Sequence, residues 1–180
     1  METKSPVSFL AHVARLPQKG MPVVIEADEK ERAALAAAHD LLEVKNYRAE
    51  LLVAPWKRHG VKVSGNVKAD VVQECVVTLD PIENHIEEEI EGVFLPEDSK
   101  LGRKGFPDHG GEIVLDAEGP DSPETFTGDT IDLGAFAEEF FGLGIDPYPR
   151  KAGAVVEAEN EPEIEEGPLQ EKLRQLKLKS

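Results

Sequence analysis

Val61-Lys-Val-Ser-Gly-Asn-Val-Lys-Ala-Asp-Val71 decides the fold class. Val61, Val63, Gly65, Val67, Ala69 and Val71 take alternate positions, with Lys62, Ser64, Asn66 and Lys68 between them. Successive side chains of a strand point to opposite faces, so this period of two reads as one long strand, apolar on one side and polar on the other. An antiparallel sheet covered on one face has this pattern.

The same alternation runs outward in both directions. Tyr47, Ala49, Leu51 and Val53 form an earlier strand, joined to the first by Trp56-Lys-Arg-His-Gly60. Cys75, Val77 and Leu79 are expected to carry the alternation into a later strand. Ile82, Ile86 and Ile90 recur every four residues, which fits a helix stripe or every second inward site of a strand. The β-branched content and the preceding Asp80-Pro81 turn favour a strand over 82–94. Residues 7–15 and Val23-Val-Ile25 read as two further strands with a turn between them.

Two helices interrupt this pattern. Over 28–39, Asp28 is placed to cap, the first turn is acidic and a run of alanines follows. Over 132–141, Asp132 caps a helix with Leu133, Phe136 and Phe140 on one face, and Gly142 and Gly144 end it. The expected fold is therefore α+β, an antiparallel sheet able to curl toward a barrel, with two short packed helices. Residues 96–129, rich in Gly, Pro and Asp, read as a long loop with Ile113-Val-Leu115 as its one strand-like island. A single domain is expected over 1–151. An acidic tail over 152–180 follows, disordered at 156–167 and closing in a short helix that carries Leu169, Leu173 and Leu176.

The charge is polarised. The net value is −16 over 180 residues. Residues 1–72 carry 11 Lys or Arg against 9 Asp or Glu, whereas 73–166 carry 5 against 26. A protein that coats nucleic acid non-specifically has the opposite balance, and an acidic surface suits a basic partner. No apolar run approaches the roughly 20 residues of a membrane span, and the N-terminal residues lack a secretory pattern. With one cysteine, a disulfide framework is excluded, and the cytoplasm is the expected compartment.

Catalytic patterns are missing from the sequence. Cys75 sits in an apolar alternation, and the histidines at 12, 39, 59, 85 and 109 lack metal-binding spacing. Glu87, Glu88 and Glu89 alternate faces on a strand, so they make a poor cation cage. No enzyme activity, no catalytic or metal residue and no cofactor are expected. Two binding candidates remain. Tyr47, Arg48, Trp56, Lys57, Arg58, Lys62 and Lys68, with His59, interleave rings and cations in a way that stacks bases and holds phosphates. Pro147, Tyr148, Pro149 and Arg150 either dock against the sheet or present a peptide-like strip.

Gly65-Asn-Val-Lys-Ala, Glu74-Cys-Val-Val-Thr-Leu-Asp-Pro81 and Val93-Phe-Leu-Pro-Glu97, followed by the block from Asp129 to Pro149, resemble the YceD family of bacterial and plastid proteins. The resemblance covers roughly 60–150. It implies a role in accumulation of large-subunit ribosomal RNA, with a ribosomal RNA precursor, a basic ribosomal protein or an assembly factor as partner and no membrane. Many relatives carry Cys-x-x-Cys at the first block and cysteines after the final prolines, which suggests metal binding there. Here Thr78 stands at the second position and 150–160 contain no cysteine, so no metal is expected. The competing expectations are an acidic, chaperone-like protein-binding module unrelated to RNA, and a metal enzyme using Cys75 and Glu87 to Glu91.

Overall fold

The computed structural model describes residues 4–57, 59–97 and 123–154. Its elements run β1 (Leu10–His12), β2 (Met21–Glu26), α1 (Glu29–Ala38), β3 (Glu43–Trp56), β4 (Gly60–Glu74), β5 (Pro81–Pro96), β6 (Glu124–Phe126), β7 (Thr130–Asp132) and α2 (Leu133–Leu143). The main sheet has the order β2-β3-β4-β5-β6, and β1 pairs with β7 separately. The first four strands are antiparallel neighbours, while β6 joins β5 in parallel.

The alternation of β4 does what its sequence requires. Cross-strand partners share a face, so Leu51, Gly65 and Ile90 form one row and Val53, Val63 and Gly92 the next. Tyr47, Ala69 and Ile86 form a third, and these rows make the apolar core. α2 lies across that face. Phe94, Phe136 and Phe140 meet edge to face at centroid distances of 4.9 and 5.2 Å, and Phe141 meets Tyr47 at 5.4 Å. α1 buries Leu35 and Ala36, and His39 at its end bonds Glu138 of α2 at 3.0 Å.

Both helix starts follow the sequence. Asp28 and Glu31 form a reciprocal capping box. Asp132 accepts from the N–H groups of Gly134 and Ala135 at 3.1 Å, from Phe9 at 2.9 Å and from the Ser8 hydroxyl at 2.6 Å. One carboxylate thus caps α2 and ties the N-terminal segment to it. α2 runs through Gly142 to a C-cap at Gly144.

Several expectations need correction. The main sheet is open, ending in β2 and β6, so it is not a barrel. Only Leu10–His12 of 7–15 is strand, and it pairs outside the main sheet. Residues 75–80 form the turn between β4 and β5 instead of a strand, because Leu79 takes a φ of +59° and its N–H returns to the Cys75 carbonyl at 2.9 Å. The ambiguous 82–94 is strand throughout. β6 lies inside the expected long loop; Ile113-Val-Leu115 and the tail from 155 lie outside the described residues.

Candidate partner-binding surface

α2 covers one face of the sheet and leaves the other open. The open face carries Glu26 on β2, Arg48 and Glu50 on β3, Lys62, Lys68 and Asp70 on β4, and Glu87, Glu89 and Glu91 on β5. The even spacing that sends valines inward sends these charges outward together. Every cation of this set is held by a carboxylate. Arg48 bonds Glu50 and Glu26, Lys62 bonds Glu91 at 2.5 Å, and Lys68 bonds Glu87 at 2.6 Å. The contact with Glu50 raises the Arg48 pKa, and the Lys68 contact lowers that of Glu87. His85 bonds Asp70 at 2.6 Å and is the largest cause of its lowered pKa. With Lys45, which bonds Glu83 beside Asp70, four Lys or Arg side chains face seven carboxylates.

The aromatic and basic candidates are therefore not one patch. Tyr47 points to the covered face, 2% exposed, and its hydroxyl has no hydrogen-bond partner among the described residues. Burial, aided by Glu138, pushes its pKa up. Arg48, Lys62 and Lys68 lie on the open face, neutralised. Trp56 and Lys57 sit at the β3–β4 turn, where the Lys57 ammonium stands 5.4 Å from the Trp56 ring centroid. The side chain of Arg58 lies outside the described residues.

Pro147, Tyr148, Pro149 and Arg150 lie on the order of 45 Å away along β4, at its other end. This segment straps down the β4–β5 turn. The Val76 N–H donates to the Pro149 carbonyl at 3.0 Å, the Gln73 amide to the Asp146 carbonyl at 2.8 Å, and Lys151 pairs with Asp80 at 2.9 Å. Pro149 is buried, whereas Tyr148 and Arg150 are exposed. Docking and display thus fall on different residues of one segment.

Beneath the strap, Cys75 is buried. Its sulfur accepts from the backbone N–H groups of Thr78 and Lys151, each at 3.4 Å. The Thr78 hydroxyl, then these N–H groups, pull the thiol down to about 6. Thr78 and Lys151 thus stand beside the sulfur as hydrogen-bond donors. Among the described residues, no three His, Cys, Asp or Glu side chains come together in a way that could hold a metal ion.

At the Trp56 end a cleft of about 350 Å³ opens among Arg15, Leu16, Trp56, His59, Phe126 and Asp129. Sequence reading did not single out Arg15 or Phe126. Each is far from Trp56 along the chain, and no local pattern marks them.

A family model described as large ribosomal RNA subunit accumulation protein YceD matches residues 63–177. Comparison with the curated proteins and comparison with the solved structures each found no match. No helix among the described residues is long and apolar enough to cross a membrane. The matched span takes in nearly all of β4, the whole of β5, α2 and the strap, the elements that create the covered face and leave the opposite one open. The chain belongs to the YceD family, whose description concerns accumulation of the large ribosomal subunit RNA.

Proposed function

We propose that this protein is a non-enzymatic assembly factor that supports accumulation of large-subunit ribosomal RNA by holding a basic ribosomal protein on its open sheet face. The carrying observation is the charge arrangement of that face. Its Lys and Arg are already engaged by carboxylates, and Glu89 adds charge with no ion-pair partner among the described residues. Phosphate would meet repulsion here, whereas a Lys- or Arg-rich surface would meet attraction over several strands. Val24 and Leu52, exposed by 51% and 42%, offer apolar contact beside the charge.

Binding of purified large-subunit ribosomal proteins to the full chain tests the reading. Binding is expected to weaken with salt, to survive ribonuclease and to fall when Glu87, Glu89 and Glu91 are changed together to Gln. Glutamine preserves length and polarity, so the sheet is kept while the field is removed. Undiminished binding by the folded triple variant, or complete loss on ribonuclease treatment, would reject it.

A further inference from the structure

The β3–β4 end of the sheet differs from the open face in how its cations are partnered. His59 sits at φ +67°, and the Gly60 N–H closes the turn onto the Lys57 carbonyl at 3.1 Å. A Cβ on Gly60 would lie 3.0 Å from Trp56 Cε3, so the indole folds back over this glycine and presents its flank to the cleft. Phe126, brought in by the parallel strand β6, and Leu16, from the segment after β1, line the same space. Arg15, Lys57 and His59 make no ion pair with any described residue, unlike Arg48, Lys62 and Lys68. The carboxylate lining the cleft, Asp129, stands 3.7 Å from His12. Glu97 lines the adjoining hollow, with Pro96 and Phe126.

We infer that this cleft is a binding site for single-stranded RNA, taking an unstacked base against Trp56 and Phe126 and the neighbouring phosphates on Arg15 in the cleft and on Lys57 beside the Trp56 ring. Aromatic rings accept any base through its π-face, and cations without carboxylate partners are available to phosphate. A cleft of about 350 Å³ lies at the small end of ligand sites, which suits a splayed nucleotide and not a paired helix. Base and phosphate chemistry coincide here, while on the neighbouring sheet face the cations are spent on glutamates. The inference goes beyond the protein-binding reading above and does not need it. Together the two would let one molecule bring a basic protein and an unpaired RNA segment close to each other.

The chain has one tryptophan, so its fluorescence reports on this cleft alone. Titrating the full chain with a short single-stranded oligouridylate should quench Trp56. Binding of the same labelled RNA, followed by anisotropy, should weaken roughly tenfold or more in the double variant Arg15→Glu, Lys57→Glu. Trp56→Leu should weaken it comparably, and Lys62→Glu with Lys68→Glu should leave it nearly unchanged. Circular dichroism and urea midpoints establish that each variant folds. Several outcomes would overturn the inference. These are an absent quench, equal binding of an RNA duplex, equal quenching by inorganic polyphosphate, or equal loss in the Lys62, Lys68 variant. Ribosomal-protein capture is measured separately through Glu87, Glu89 and Glu91, so either reading can fail while the other stands.

Discussion

Phe136 of α2 lies directly over Gly92 of β5, where a Cβ would stand 2.4 Å from the ring's Cζ. Phe94 and Phe140 flank the ring edge to face, so it has little room to retreat. This contact sets how closely the helix approaches the sheet. Gly92→Ala should cost about 1–3 kcal/mol of stability through overpacking, although alanine suits a strand better than glycine. Urea denaturation measures it, and Gly92→Ala combined with Phe136→Leu should recover part of the loss. An unchanged midpoint for Gly92→Ala would show that the helix can lift without cost.

Asp132 links stability to acid. Burial pushes its carboxyl up, but the Ser8 hydroxyl and the N–H groups of Ala135, Phe9 and Gly134 outweigh that and hold it below the ordinary 3.8. A depressed carboxyl adds stability that is present above the ordinary value and lost as pH falls through the folded one. Asp132→Ala should cost about 1–2 kcal/mol through the lost cap, with a further loss from the freed Ser8 segment. Asp132→Asn should cost less and flatten the decline of the urea midpoint below the ordinary carboxyl value. Equal pH profiles for the native chain and Asp132→Asn would contradict this role.

The Cys75 thiol reports on the strap. Its pKa of about 6, against an ordinary 9.0, makes it largely thiolate at neutral pH in the folded chain. The associated stability is fully present above 9.0 and is lost as pH falls through about 6. Ultraviolet thiolate absorbance should titrate near 6 in the native protein and near the ordinary value in denaturant. Thr78→Val should move the native midpoint upward, since the Thr78 hydroxyl is the largest cause of the shift. Because the sulfur is buried, alkylation of the native chain should be slow despite its charge and follow opening of the strap. Rapid alkylation of the folded protein would show that the strap does not cover it.

The local sequence carried the elements whose signals are local. The alternation from Val61 to Val71 specifies a half-covered strand because the pleat has period two, and Asp28 and Asp132 mark helix starts because a carboxylate satisfies nearby N–H groups. The turn at 75–80 escaped the same reading. Val77 and Leu79 look alternating, but the contacts of the strap, distant in sequence, and a positive φ at Leu79 hold that stretch as a turn.

Sequence alone determined the α+β class, the polarised charge and the family-bearing blocks, all of which depend on neighbours along the chain. Only the tertiary structure decided which charges are available. Arg48, Lys62 and Lys68 read as a basic cluster in one dimension. The antiparallel register then places Glu50, Glu26, Glu91 and Glu87 against them, so each already has a carboxylate at contact distance. The β1–β2 connection brings Arg15, and the parallel pairing of β6 with β5 brings Phe126, to Trp56 from segments far apart in sequence. Pairing across strands, which no local pattern encodes, separates a cation that is occupied from one that is open.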